Sequence, residues 1–96
     1  MSAYVIGAVD KKDLEKYELY IAAGYQSILG FDVEVNVAEQ PEALEGKFPG
    51  TTLVMMKFKS KEDVLKWYHS DLYQKAIPFR HAAAETPFTV TFTTND

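Results

Sequence analysis

Two short runs decide the fold of this chain: Ala3-Tyr-Val-Ile-Gly-Ala-Val9 and Thr51-Thr-Leu-Val-Met-Met-Lys-Phe58. Both are rich in residues that favour strands, and both are apolar at odd and at even positions. Successive side chains of a strand point to opposite faces, so a strand that is apolar at both lies inside a sheet whose two faces are covered. The sequence therefore predicts two central strands.

Two further runs alternate strictly between apolar and polar residues, which is typical of strands with one wet face. Their apolar members are Phe31, Val33, Val35 and Val37 in the first run and Phe88, Val90 and Phe92 in the second. Pro41 interrupts pairing after the first run, and Glu42 to Glu45 could resume it before a loop rich in Gly and Pro at 46–50. We predict that both runs are edge strands.

A helix is predicted between the first two strands. Asp10 suits its N-cap, with Asp13 as an acidic residue in the first turn. Gly30 suits its end. Its apolar residues recur at three- and four-residue spacing and form one stripe along roughly four turns, which consists of Leu14, Tyr17, Ile21, Tyr25 and Ile28.

A second helical segment begins at Ser60, which has the capping spacing to Asp63. It is predicted to pause at Ser70, restart with that residue as a new cap, and continue to Ala84. Pro78 removes a backbone donor and crowds the preceding turn, so a kink or a break is expected between Gln74 and Pro78.

The element order β-α-β-β-α-β predicts an α+β fold, the ferredoxin-like split βαβ sandwich, as a single domain over residues 1–96. Its four-stranded antiparallel sheet has the first and third strands in the centre and the helices on one face. The central strands would then leave apolar side chains bare on the other face, which is typical of an interface. We predict a homodimer formed sheet against sheet.

Composition excludes several classes of function. The chain has 96 residues, 47% of them hydrophobic, and a formal net charge of −4 with scattered basic residues, so nucleic acid is not an expected partner. It has no Cys, which excludes disulfides and thiolate metal sites and fits the cytoplasm. Its start lacks a basic segment and a long apolar run, so neither a signal peptide nor a membrane anchor is expected.

Several motifs give the chain a likeness to a known family. They are Tyr4-Val-Ile, Tyr17, Leu44-Glu45-Gly46 and the long pattern Trp67-Tyr68-x-Ser70-x-x-Tyr73-Gln74-x-Ala76-x-x-x-Arg80-x-x-Ala83. With these the chain resembles the domain-of-unknown-function family DUF1330, a branch of the dimeric α/β-barrel superfamily, over nearly its whole length. Pro78 departs from the family pattern, in which an unbroken helix is usual.

The resemblance implies a ferredoxin-like protomer that dimerises as an α/β barrel, and it implies no established reaction. More distant members of the superfamily look like cofactor-independent monooxygenases, haem-degrading oxygenases, lactone isomerases and polyketide cyclases. An activity of this kind is therefore an expectation by analogy of fold alone.

Three residues are candidate catalytic groups. His69 or His81 could act as a base near neutral pH, or could be a helix-surface imidazole; their spacing does not match a metal motif. Arg80 could hold a carboxylate or enolate oxygen, or could bridge to Glu45 or Asp71.

Candidate ligand-binding residues are Tyr17, Glu45, Trp67 and Tyr73. Glu45 would serve as a base only if burial raised its pKa; a solvated loop position or an Arg partner is the alternative. The aromatic residues, with Tyr25 and Tyr68, could line a pocket between helices and sheet or simply form core.

Two functions are open on these grounds. The first is a small homodimeric module that binds a small organic ligand, including an anionic one, in a helix–sheet cleft. The second is a cofactor-independent monooxygenase or isomerase in which a histidine removes a proton and Arg80 stabilises the anion. Neither function calls for a metal or another cofactor. The second requires an imidazole that faces the cleft.

Overall fold

The structure is a computed structural model that describes all 96 residues. Four strands and three helices follow one another along the chain. They are β1 (Ala3–Lys11), α1 (Leu14–Ile28), β2 (Val33–Glu39), β3 (Thr52–Phe58), α2 (Lys61–Tyr68), α3 (Asp71–Ala83) and β4 (Ala84–Thr93). None of the helices is long and apolar enough to cross a membrane.

The strands form one antiparallel sheet in the order β2-β3-β1-β4. Ile6 of β1 lies opposite Met55 of β3 on one side and opposite Val90 of β4 on the other. The ferredoxin-like topology predicted from the sequence is confirmed, because the two runs that are apolar on both faces are the two central strands.

One face of the sheet carries the helices and the core. Ala3, Val5, Met56 and Phe58 project from the central strands to meet Val64 and Trp67 of α2 and Tyr73 and Ala76 of α3. Phe58 is only 1% exposed and its ring lies 5.4 Å from that of Trp67. This cluster holds α2 and α3 against the sheet.

The two helical segments separate as predicted at Ser70, whose hydroxyl accepts the backbone N–H of Tyr73. Of the two outcomes expected near Pro78, a kink or a break, the break is absent, because α3 runs without interruption from Asp71 to Ala83. Pro78 leaves the carbonyl of Gln74 without its helical donor. Both residues lie on the exposed side of α3, where water can supply the missing hydrogen bond.

Three predicted boundaries were wrong. Asp10 does not cap α1, because it pairs with Glu85 of β4 and so belongs to β1, which extends to Lys11. The N-cap is Asp13, whose carboxylate accepts the backbone N–H of Lys16. Residues Glu42 to Glu45 do not resume a strand. The second segment does not include Ala84, whose extended backbone begins β4.

The predicted apolar stripe of α1 turns towards the sheet but is only partly buried. Of its members only Tyr17 is buried and Ile28 is half-buried, whereas Leu14, Ile21 and Tyr25 are exposed. Tyr20, Ala23 and Ser27 of α1 pack inward in addition. Periodicity found the large apolar residues, but it did not show that the packed face of α1 also includes small and polar ones.

No helix covers the other face of the sheet, which we call the open face. Its large apolar side chains are only half-buried or exposed, and they are Tyr4, Ile6, Leu53, Met55, Phe88, Val90 and Phe92. The rings of Tyr4 and Phe92 stack with centroids 5.4 Å apart. A hollow of about 460 Å³ lies beside them, towards Glu34 and Lys57.

Candidate functional site

A cleft of about 390 Å³ separates α1 from the sheet on the helix-covered side. This volume lies within the range of roughly 300 to 1,000 Å³ that is usual for sites of small organic ligands. Its walls are mostly apolar and come from α1, from β2 and β3 and from the rings of α2 and α3; the apolar members away from the rings are Ile21, Ile28, Val35, Val37, Val54 and Met56.

The cleft exists because α1 packs principally on α3 and not on the sheet. Val35 and Val37 of β2 therefore remain 43% and 54% exposed although they point to the helix-covered side. Gly24 on α1 lines the opposite wall, and a Cβ atom at this position would meet nothing within 4 Å. The missing side chain at Gly24 widens the cleft.

The floor of the cleft is built from aromatic rings with satisfied polar atoms. The indole N–H of Trp67 donates to the Ser27 hydroxyl at 3.0 Å, and that hydroxyl donates to the Gly24 carbonyl at 2.6 Å. The ring of Tyr73 lies 4.2 Å from that of Trp67. This bonding fixes the indole and keeps its polar atom out of the ligand space.

A cluster of two tyrosines and one arginine joins α1 to α3 at the cleft. The hydroxyls of Tyr20 and Tyr73 lie 2.8 Å apart, and Arg80 Nη1 donates to Tyr73 at 2.8 Å and to Tyr20 at 3.4 Å. Arg80 is only 7% exposed, forms no salt bridge, and leaves its buried Nε without a partner. A guanidinium is always charged, so this is a buried positive charge without a carboxylate.

Two tyrosines of the cleft, Tyr17 and Tyr73, are held in the neutral form by burial. Burial raises the pKa of Tyr17 to about 12, and the nearby Tyr20 adds to this effect. Burial likewise raises the pKa of Tyr73 far above its ordinary value. At neutral pH these hydroxyls are therefore hydrogen-bond donors and not phenolates.

The other end of the cleft carries an ion pair. Lys11 Nζ lies 2.9 Å from Glu39 Oε1 and 4.8 Å from the centre of the Tyr17 ring. Thr52 donates its hydroxyl to Glu39 Oε2 at 3.0 Å, and these bonds lower the pKa of Glu39. The polar groups at this end are thus paired with one another.

The structure brings three of the four predicted ligand-binding residues together. Tyr17, Trp67 and Tyr73 line the cleft. Glu45 lies exposed between β2 and β3, away from the cleft. Arg80 pairs with neither Glu45 nor Asp71; it lies behind Tyr73 and touches the cleft only through the tyrosine hydroxyls.

The structure does not place either histidine in the cleft. His69 is exposed and lies beside a groove between α2 and β4, and His81 is exposed on α3. The expectation that an imidazole faces a bound ligand is therefore not met. The chain also contains no cluster of three or more His, Asp or Glu side chains arranged to hold a metal ion.

The cleft residues that sequence analysis missed include Lys11, Tyr20, Gly24 and Glu39. Tyr20 carried a usable signal, because it lies one helical turn after Tyr17 and so shares its face. Gly24 in mid-helix was another, since a glycine there lowers helix propensity unless its small size has a use. Lys11 and Glu39 meet only through the sheet, and nothing in their spacing predicts it.

Comparison with known families decides the identity of this fold. The model of a family described as a domain of unknown function, DUF1330, matches residues 2–93. The chain belongs to the DUF1330 family. The motifs that carry the resemblance to DUF1330 include Trp67, Tyr73 and Arg80. Trp67 and Tyr73 line the cleft, and Arg80 donates a hydrogen bond to the hydroxyl of Tyr73. Comparison with curated proteins gives no match.

Solved structures resemble this DUF1330 chain at low sequence identity. A protein of unknown function from Rhodopseudomonas palustris has a TM-score of 0.79 at 12% identity, over 99% of this chain and 83% of that one. A dimeric ferredoxin-like protein of unknown function from Jannaschia has 0.74 at 10%, over 98% and 100%. SnoaB, a cofactor-independent oxygenase from Streptomyces nogalater, has 0.71 at 7%, over 99% and 94%. At these identities the likeness shows the fold alone.

Proposed function

We propose that this protein is a small-molecule-binding module that takes an organic ligand in the cleft between α1 and the sheet. The observation that carries the proposal is the composition of the cleft: apolar and aromatic walls with a few hydroxyl groups at one place. Sites for organic ligands have this composition, because apolar walls supply affinity and a few polar groups fix orientation. A purely structural core would instead be filled.

We further propose that the protein works as a homodimer joined through the open face. The half-exposed aromatic and aliphatic side chains there form a continuous patch with the stacked pair Tyr4 and Phe92 at one end. A second copy is the natural occupant because a small chain gains stability when a copy covers such a face. One structural neighbour is described as a dimeric ferredoxin-like protein.

The proposed cleft can be tested by filling it. In Gly24→Leu the new side chain enters open space, so the helix stays intact while the cleft loses volume. Ala22→Leu adds the same side chain at an exposed position of the same helix and serves as the control. Trp67 is the only tryptophan and lines the cleft, so its fluorescence reports on binding there.

We expect that a panel of aromatic acids, amides and phenols, screened by thermal shift and by Trp67 fluorescence, contains at least one saturable ligand. Its affinity should fall by about tenfold or more in Gly24→Leu and stay unchanged in Ala22→Leu, since about one filled side-chain volume is worth that much or more. Saturable binding whose affinity is unchanged in Gly24→Leu, or no binding at all, would overturn the proposal.

A cofactor-independent monooxygenase or isomerase is the second candidate. It is favoured by one observation, namely the buried charge of Arg80 behind hydroxyls that face the cleft, an arrangement able to stabilise a developing oxyanion. It is disfavoured by the lack of an imidazole in the cleft. Incubation of a bound ligand in air, followed by chromatography and mass spectrometry, separates the two functions: a product of higher mass, as from an oxygenase, or of equal mass and different retention, as from an isomerase, that Gly24→Leu abolishes indicates an enzyme.

A further inference from the structure

The hydroxyl pair of Tyr20 and Tyr73 leaves one proton uncommitted. Two hydroxyl groups carry two protons, and the 2.8 Å bond between them uses one. Arg80 Nη1 donates to both oxygens, so it offers no acceptor for the second proton. No other protein acceptor contacts either hydroxyl, and both residues line the cleft.

The bond lengths indicate the direction of the hydrogen bonds that join Arg80, Tyr73 and Tyr20. Arg80 donates to Tyr73 at 2.8 Å but to Tyr20 only at 3.4 Å, so Tyr73 receives the stronger charge-assisted bond. A hydroxyl that accepts from a cation becomes a better donor, since hydrogen bonds in a chain polarise one another. Tyr73 is also more deeply buried than Tyr20. Either tyrosine could donate in the bond between them, and this asymmetry favours the order Arg80, Tyr73, Tyr20, which leaves the proton of Tyr20 free.

The charge of Arg80 is likewise unbalanced. It is more than nine-tenths buried, its Nε has no partner, and the four salt bridges of the chain lie elsewhere. A buried cation without a counter-ion is costly, and an anion brought close to it offsets part of that cost. The one carboxylate that lines the cleft, Glu39, is already paired with Lys11 and Thr52.

From this juxtaposition we infer that the cleft selects aromatic carboxylates, with one carboxylate oxygen accepting the free hydroxyl proton of Tyr20. The inference rests on the proposed function and names its class of ligand. Tyr20 touches the ligand, whereas Tyr73 and Arg80 act through it as positioning residues. The apolar walls formed by Ile28 and Val54 receive the ring.

The experiment compares two probes of the same shape, 2-naphthoate and 2-naphthamide, at neutral pH. The carboxylate is charged and accepts only, whereas the amide is neutral. We expect the wild-type protein to bind 2-naphthoate about tenfold or more tightly than the amide, which is the strength of a charge-assisted hydrogen bond. The readouts are calorimetry and Trp67 fluorescence.

Variants test each member of this chain of hydrogen bonds. Tyr20→Phe should remove most of the preference for the carboxylate, because binding of the acid falls more than binding of the amide, whose neutral oxygen accepts a weaker hydrogen bond. Arg80→Met, which keeps bulk and removes charge, should lower the preference, and Arg80→Lys should restore part of it because charge returns at the same place. Tyr68→Phe is the control, since Tyr68 does not line the cleft.

The outcomes separate this inference from the proposed function. Equal binding of acid and amide by the wild-type protein overturns the inference and leaves the ligand-binding cleft standing. An unchanged preference in Tyr20→Phe also overturns it. If neither probe nor any other aromatic compound binds, the proposed function itself fails. Tyr20 is only half-buried, so Tyr20→Phe keeps the test valid even if Arg80→Met does not fold.

Discussion

The two faces of the same sheet are built from the same two strands, yet they differ in how polar atoms are treated. On the helix-covered face the large side chains bring polar groups with them, and these groups are paired: Trp67 with Ser27, and Tyr20 with Tyr73. On the open face the large side chains are aliphatic or stacked rings, such as Ile6 and Phe92 beside Tyr4.

The two faces are therefore suited to different kinds of binding. A face that must recognise a small molecule needs a few positioned donors, and these must be satisfied or aimed at the ligand. A face that joins two copies needs area and shape, and hydrogen bonds contribute little at its centre. Equal hydrophobicity in the sequence is therefore compatible with the different roles that we propose for the two faces.

The largest expected effect contrasts one phenylalanine from each face. Phe58→Ala should lower the free energy of unfolding by about 3 to 5 kcal/mol, because it opens a cavity beneath Trp67 in the covered core. Phe92→Ala should cost far less in the protomer, since Phe92 is already 43% exposed. Urea unfolding followed by circular dichroism measures both.

Protein concentration sharpens this contrast. The loss in Phe58→Ala should be the same at every concentration, whereas the loss in Phe92→Ala should grow with concentration as wild-type dimer forms. Phe58→Leu is a milder replacement if Phe58→Ala does not fold. Equal, concentration-independent losses at both positions would show that the two faces are equivalent.

The second effect concerns association. Val90 lies on the open face opposite Ile6, and Val90→Lys would bury an ammonium group without a partner at the interface. We expect the dimer to weaken by about 100-fold or more, which is a few kcal/mol. Sedimentation velocity over a dilution series measures the change.

Thr93→Lys is the matched control for this substitution, because Thr93 is an exposed residue of the same strand that points to the other face. It should leave association unchanged. A wild-type protein that remains monomeric at every concentration, or a Val90→Lys variant that still dimerises, contradicts the assignment of the open face.

The smallest effect is a pH dependence on the covered face. The pKa of Tyr17 is about 12 in the folded chain against an ordinary value of 10.0. Below pH 10 both states keep the proton and the full stability is present. Between these two values the unfolded chain ionises while the folded chain does not, so the free energy of unfolding falls as the pH rises.

Unfolding titrations across this pH range, with Tyr17→Phe for comparison, measure the contribution of Tyr17. The variant should show a shallower loss of stability, and the ultraviolet absorbance of tyrosinate should show at least one late-ionising group in the wild type. An identical slope in wild type and Tyr17→Phe would show that Tyr17 is solvated.

Much of the architecture could be predicted from local patterns. The caps at Ser60 and Ser70 were found because each lies three residues before the backbone N–H that it accepts. The error at Asp10 arose because pairing with Glu85 of β4 prolongs the strand, and that pairing is not local. At Pro78 the helix does not break, because an exposed proline can remain in a helix when water replaces one bond.

The candidate site was predictable only in part. Tyr17, Trp67 and Tyr73 were chosen as aromatic residues near the sheet, and they do line the cleft. Glu45 and the two histidines were chosen for their chemistry, and the structure places them in solvent. Residue type indicates what a side chain could do, whereas its position in the fold decides whether anything can reach it.

By itself the sequence determined the sheet. Alternating apolar and polar residues predict a strand with one solvated face. Because β1 and β3 are apolar on both faces, the sequence predicts that they are the central strands, as they are in the sheet. Only the tertiary structure decided the chemistry of the cleft, because Tyr20 and Tyr73 are 53 positions apart and Arg80 meets them only when α1 packs on α3. Such a meeting depends on how elements pack, and no local spacing encodes it.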